Sequence, residues 1–246
     1  MSAWLIPEWP APPRVRACTT TRGAGVSQGR YASFNLATHV GDDPQHVSAN
    51  RAWLRDTFPL PAEPCWLNQV HGRRVVRLDG AHEVQPEADG ACTSQPDVVC
   101  AVLTADCLPV LLCDRAGRNV AAVHAGWRGL VADVIEAGIE QLAQPAGSLL
   151  AWLGPAIGPQ SFEVGDDVRD ACLAADGGAA VAFTRSGDRW CADLYQLARR
   201  RLARRGITRV YGGDYCTWRD ARQFYSYRRD GVTGRMATLI WIDGKQ

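Results

Sequence analysis

The sequence predicts one domain of mixed helices and strands spanning residues 1–246, and three observations point to it. Residues 97–104 and 108–113 are nearly all apolar, as strands buried on both faces are. Segments such as 44–58 and 192–205 instead carry helix start or stop signals. No repeat, low-complexity tract or long linker divides the chain, and the proline-rich stretch from Pro7 to Pro13 reads as an extended terminal arm rather than a hinge.

In chain order, residues 16–20 read as a first strand, followed by a Gly-, Ser- and Asn-rich loop over 21–39. Loops of that length are usually functional, so 21–39 is a candidate lid. Asp43 then caps a helix with Pro44 at its first position, running to about Phe58. Arg51 falls on the apolar stripe of that helix with Val47, Leu54 and Phe58. An inward guanidinium needs a partner. An internal carboxylate and a bound anion such as phosphate are both open readings.

Residues 65–71 alternate as a strand, with Gln69 and His71 on one face, and 75–78 reads as its partner. Between the apolar runs, Asp106-Cys107-Leu108-Pro109 predicts a bulge or bend, because proline cannot donate to a ladder. Residues 120–124 form a strand ending in His124, and 128–144 a helix. A strand at 148–153 leads into the loop 154–159, with helices at 163–175 and 192–205, the second closed by Gly206. The arginine cluster of that last helix reads as a solvated face whose cations favour the helix C-terminus rather than as a nucleic-acid site. Residues 208–211, 224–228 and 236–242 read as closing strands, with a turn at 229–234.

Composition narrows the function classes. Hydrophobic residues make up 46% and charged residues 22%, as in water-soluble globular proteins. A net charge of +1 implies no global attraction to nucleic acid or membrane. No apolar run approaches the ~20 residues of a spanning helix. The N-terminus lacks the basic and apolar regions of a signal peptide. The nine cysteines are scattered with no Cys-x-x-Cys pair, against a zinc finger or thioredoxin-like site. Reduced thiols in a cytoplasm, mostly filling the core, are expected.

Chemistry in α/β folds gathers at the carboxyl ends of strands. His71, Cys107 and His124 all stand at predicted strand ends, and they match the ligand number and type of a catalytic zinc. Taken singly, each also has a structural reading, a hydrogen-bonded histidine or a core cysteine. Spacing alone does not show convergence. A metal-free reading makes Cys107 a nucleophile with His124 or His71 as its base. No His-Glu-x-x-His helix is present, and five histidines are too few for a multinuclear copper cluster held mainly by imidazoles.

Five motifs occur in order: Asn68-Gln69-Val70-His71-Gly72, Thr104-Ala105-Asp106-Cys107-Leu108-Pro109-Val110, Ala122-Val123-His124-Ala125-Gly126-Trp127-Arg128-Gly129, Gly154-Pro155-Ala156-Ile157-Gly158-Pro159 and Phe224-Tyr225-Ser226-Tyr227-Arg228-Arg229-Asp230. Together, across nearly the whole chain, they resemble the bacterial YfiH family, also called the polyphenol oxidase or laccase-domain family. The resemblance implies a domain of the α+β class, a four-layer αββα arrangement with mixed sheets. It implies a metal, usually zinc with copper as the alternative, held at His71, Cys107 and His124. It also implies phosphorolysis of adenosine, inosine, guanosine and methylthioadenosine, and hydrolytic deamination of adenosine. A second implied role is editing of UDP-MurNAc peptidoglycan precursors carrying a misplaced serine. A third is copper-dependent phenol oxidation.

On these expectations Asp106 is a candidate proton shuttle, Arg51 the phosphate holder, and Asn35 and Gln69 polar positioners of substrate. The expected partners are purine nucleosides and phosphate, with UDP-MurNAc precursors as the alternative, and neither nucleic acid nor membrane. The chain is expected as a monomer or weak homo-oligomer.

Overall fold

A computed structural model describes residues 2–80 and 85–245, so His82 lies outside the described residues. The chain opens with β1 (Trp4–Leu5) and β2 (Val15–Thr20), then α1 (Pro44–Thr57). The strands β3 (Val75–Leu78), β4 (Gly90–Thr93), β5 (Cys100–Thr104), β6 (Leu108–Asp114) and β7 (Val120–Ala125) follow. Next come α2 (Trp127–Val131), α3 (Val134–Leu142) and β8 (Leu149–Leu153). The last third holds β9 (Glu163–Val164), α4 (Asp166–Ala175), β10 (Phe183–Ser186), β11 (Arg189–Ala192), α5 (Leu194–Arg204), β12 (Val210–Gly212), α6 (Tyr227–Asp230) and β13 (Met236–Ile242).

Two large sheets stack face to face. One has the order β1-β2-β13-β5 and is antiparallel. The other, β12-β8-β6-β7-β4-β3, is mixed: its outer pairs are parallel and its inner ladders antiparallel. Val15, Ala17, Val102 and Ile240 of the first sheet meet Leu111, Ala122, Leu150 and Trp152 of the second in a shared core. Strand alternation sends their neighbours outward. Cys18, Ala101, Leu103 and Leu239 pack beneath Phe34, Leu54 and Phe58 on the α1 side. Val110, Leu112, Ala121 and Val123 pack against Leu130, Ile135, Ile139 and Leu197 of α2, α3 and α5. The order is helix, sheet, sheet, helices, a four-layer αββα arrangement of the α+β class. Burial on both faces is why the central strands lack polar alternation. Each such Val or Leu contributes about 1.5–3 kcal/mol when fully buried.

Several local expectations change. The break at residues 105–107 is more than a bulge: β5 and β6 belong to different sheets, and the chain crosses between them there with Asp106 at φ +91. Residues 65–71 are no regular strand. Isolated bridges tie Cys65 to Cys100 and Asn68 to Glu87. The Gln69 amide then takes over the ladder, donating to the Leu103 carbonyl and accepting from its amide. The helix expected over 128–144 breaks at Asp133, which sits at φ +64 with its carboxylate on Arg201. Residues 163–164 form β9, which joins the missed β10–β11 hairpin in a third sheet. Residues 224–228 are not a strand: Phe224 and Tyr225 are fully buried in irregular backbone, and Ser226 caps α6.

The arginines of α5 are a solvated face only in part: Arg204 and Arg205 are exposed, and the other three are engaged. Arg201 is buried between Asp133 and Glu136, Arg200 pairs with Asp176, and Arg199 holds the carbonyls of Val210 and Gly212. Residues 21–39 carry the core residues Phe34 and Leu36, and Arg22 and Asn50 tie the loop to itself and to α1. Such a loop is part of the packed wall rather than a free lid. Among the described residues no helix is long and apolar enough to cross a membrane.

Candidate metal centre and its cavity

The crossover between the sheets builds the site. His124 is the penultimate residue of β7, Cys107 ends the crossover just before β6, and His71 follows the segment that Gln69 pins to β5. Their potential ligand atoms lie within 4.8 Å of one another. The His71 Nε2 to Cys107 Sγ separation is 3.9 Å. Tetrahedral zinc with bonds of about 2.3 Å to sulfur and 2.0–2.1 Å to nitrogen separates such atoms by roughly 3.6 Å. The two imidazoles meet edge to face, with centroids 4.8 Å apart.

Asp89 organises the group, and sequence reasoning missed it. It is fully buried beside the start of β4. Its Oδ1 accepts from His124 Nδ1 at 2.8 Å and from the His71 amide at 2.9 Å. Its Oδ2 accepts from the amides of Gly72 at 2.6 Å and Val70 at 3.3 Å. A carboxylate can only accept, so His124 Nδ1 carries a hydrogen and Nε2 is left for a ligand. Carboxylate-held histidine is the usual support of a metal ligand. An aspartate before glycine at a strand start carries no sequence signal of this role.

The electrostatics follow the contacts. Burial opposes ionisation of Cys107, but the charge of His124 and hydrogen bonds with both imidazoles outweigh it and hold the thiol at about 6. For His124, burial lowers the value, and the Cys107 thiolate and Asp89 carboxylate raise it to about 9. Burial raises Asp89, and its bonds to His124, Gly72 and His71 more than reverse this, so its carboxyl sits below the usual range. Gly126 leaves room for the pair: a Cβ there would stand 2.7 Å from Cys107 Sγ.

The residues therefore fit a metal: a thiolate and two imidazoles, one of them oriented by a carboxylate, with open space beside them. That space is a cavity of about 380 Å³. Trp127, Ile157, Phe162 and Leu194 line it with apolar surface, and His39, Tyr227, Arg228 and Arg235 supply polar groups. Asp106 and Gln69 also line it. Asp106 accepts from Thr217 Oγ1 at 2.6 Å and from the Arg228 amide at 2.6 Å, which pins the crossover.

Two expected site residues lie elsewhere. Arg51 is not in the cavity wall. Its Nε and Nη2 both donate to the Leu36 carbonyl, and its plane stacks 4.1 Å from the Trp66 ring. The planar fork that would grip an anion is already occupied. Asn35 is fully buried and bonds to Ala37, Asp42 and the Arg235 amide, so it contacts no substrate space.

A Cys-His-His centre at a sheet crossover, with His124 buried, Cys107 half-buried and His71 exposed at the mouth of an apolar-walled cavity, is the framework of a metal-assisted or thiol-dependent enzyme. The profile of a family described as multi-copper polyphenol oxidoreductase laccase matches residues 16–243. The purine nucleoside phosphorylase YfiH of Escherichia coli K12 is 52% identical over 242 residues, covering 98% of this chain and 100% of that protein. A Pseudomonas aeruginosa purine nucleoside phosphorylase is 53% identical over 244 residues, covering 98% and 99%. The crystal structure of a Neisseria meningitidis protein matches with a TM-score of 0.93 at 49% identity, covering 99% of this chain and 100% of that one. YlmD from Geobacillus stearothermophilus matches with a TM-score of 0.91 at 28% identity, covering 98% and 97%. The chain belongs to the YfiH, or laccase-domain, family.

Proposed function

We propose that this protein is a zinc-dependent purine nucleoside enzyme, cleaving adenosine, inosine, guanosine and methylthioadenosine with phosphate, and deaminating adenosine to inosine. The observation that carries this reading is the convergence of His71, Cys107 and His124 on an aromatic-walled cavity. The relatives described as purine nucleoside phosphorylases support it.

In phosphorolysis a phosphate oxygen bonds to C1′ of the ribose. The C1′–N9 bond breaks, and the base leaves with the electron pair and gains a proton. In deamination water adds at C6 and ammonia leaves. Zinc held by His71, Cys107 and His124 would supply Lewis acidity and a water of lowered pKa. The chain's own residues do the rest. Trp127 and Phe162 offer flat apolar surface to a purine. Asp89 fixes the tautomer of His124. Asp106, with both oxygens bonded, serves as a positioner of the Cys107 turn rather than a free proton shuttle. Copper also suits nitrogen and sulfur donors. Zinc is preferred because three protein ligands beside an open cavity is its catalytic pattern. The described cysteines are all free, which suits a reducing cytoplasm.

A second reading has a specific observation behind it. Cys107, His124 and Asp89 also line up as nucleophile, base and orienting carboxylate. A metal-free cysteine hydrolase acting on an amide, such as a peptidoglycan precursor, would use the same residues. Adenosine turnover before and after chelation tests the choice. Loss of adenine and ribose 1-phosphate formation that zinc restores supports the nucleoside enzyme. No adenosine turnover in either state, with metal-free cleavage of a peptidoglycan-precursor amide that alkylation of Cys107 abolishes, supports the hydrolase.

A further inference from the structure

Arg235 stands in the cavity wall immediately before β13. Three bonds fix it from behind. Its amide donates to Asn35 Oδ1 at 3.0 Å, and its Nη1 donates to the carbonyls of Thr233 at 2.8 Å and Gly234 at 3.0 Å. Its Nε–Nη2 edge has no hydrogen-bond partner among the described residues, and its guanidinium joins no ion pair there. This is the edge that grips a planar pair of oxygens. Arg200 shows the same edge in use, holding both oxygens of Asp176 at 2.8 and 3.0 Å. Arg51 has the edge closed on the Leu36 carbonyl.

The negative groups nearest Arg235 are the Cys107 thiolate and the Asp106 carboxylate, and neither bonds its guanidinium. Of the carboxylates, the cavity wall holds only that of Asp106 among the described residues, and both its oxygens are engaged. His39 lines the same space. Thr104, opposite Met236 in the β5–β13 ladder and one residue from Arg235, has a buried hydroxyl without a partner among the described residues. Arg235 is half-buried, its guanidinium stands 5.9 Å from the Tyr227 ring, and its unused fork faces the cavity ready for an anion.

We propose that the Nε–Nη2 edge of Arg235 is the oxyanion seat of this cavity, taking a phosphate group, either free inorganic phosphate or a phosphate ester on the substrate. Asn35 acts through it, by holding its backbone. The inference rests on the nucleoside reading only for the role of free phosphate as co-substrate.

Binding of inorganic phosphate and of adenosine 5′-monophosphate to the zinc-loaded protein, measured by calorimetry, tests it. The variants are Arg235→Gln, Arg235→Lys and Arg51→Gln, each checked for folding by thermal melting. Loss of a charge-assisted bidentate contact predicts weakening by about 10- to 100-fold in Arg235→Gln. Arg235→Lys keeps the charge but not the fork, and also weakens binding. Arg51→Gln stays within about 3-fold of wild type, inside the ~0.7 kcal/mol that 3-fold represents. Binding of inorganic phosphate that needs Arg235 supports both the seat and phosphorolysis. Binding of the monoester alone, again needing Arg235, keeps the seat and removes free phosphate as its occupant. Wild-type affinity in a folded Arg235→Lys protein, loss in Arg51→Gln instead, or no binding of either ligand overturns the proposal.

Discussion

Asp89 and His124 hold each other twice. The His124 amide donates to the Asp89 carbonyl at 2.7 Å, and its Nδ1 donates to the Asp89 carboxylate at 2.8 Å. One bond extends the β4–β7 ladder and the other aims the imidazole. The same carboxylate gathers the amides of Val70, His71 and Gly72. One buried side chain thus sets the positions of two of the three candidate metal ligands.

Asp89→Asn is nearly isosteric but puts an NH2 group against backbone donors. We expect a loss of about 3 kcal/mol in stability, in the range for breaking a buried charged hydrogen-bond network. Metal affinity should fall about 10- to 100-fold. Chemical denaturation with and without zinc, together with a metal-competition titration, measures both. A variant with wild-type zinc affinity would remove Asp89 from its positioning role.

In metal-free protein the Cys107 thiol ionises at about 6 and His124 at about 9, so thiolate and imidazolium coexist between those values. Below about 6 the sulfur is protonated and alkylation slows; above it the rate levels off. An ordinary thiol, at about 8.5, would keep accelerating through pH 8. Iodoacetamide labelling of the Cys107 peptide, followed by mass spectrometry across pH 5–9 (about the span of ordinary His and Cys titration), separates the two profiles.

Gly126→Ala puts a methyl group 2.7 Å from Cys107 Sγ, closer than a Cβ tolerates. The sulfur must move. Zinc stoichiometry and nucleoside turnover should fall together while the melting temperature drops by only a few degrees, the scale of about 1 kcal/mol in a domain this size. Mass spectrometry under native conditions reports the bound metal directly.

Arg51→Ala should cost stability rather than phosphate affinity. It removes the stacking on Trp66 and the bonds to the Leu36 carbonyl. Together these are worth about 1–3 kcal/mol. Urea denaturation beside a phosphate titration shows which property moves.

Arg51 also illustrates what a sequence reveals here. Its place on the inward stripe of α1 was legible from spacing, but its partner was not, because a carbonyl on the distant Leu36 leaves no pattern. The doubly buried strands β5, β6, β7 and β13 were legible as apolar runs. The strand β4 (Gly-Ala-Cys-Thr) is too short and too weakly apolar to stand out. His71, Cys107 and His124 were readable as residue types at strand ends, and their convergence came only with the crossing of the chain from one sheet to the other. Asp89 and Arg235 gave no signal, since both act through tertiary hydrogen bonds at positions that local sequence treats as ordinary strand flanks.

The central claim is that His71, Cys107 and His124 hold a metal required for nucleoside cleavage. The most direct test is metal analysis of protein purified without added metal, paired with adenosine turnover in phosphate buffer, for wild type and Cys107→Ala. The account predicts bound zinc close to one per chain, with adenine and ribose 1-phosphate formed, and both lost in the folded variant. A metal-free wild type that turns over adenosine fully, or a Cys107→Ala protein that keeps both zinc and activity, would contradict it.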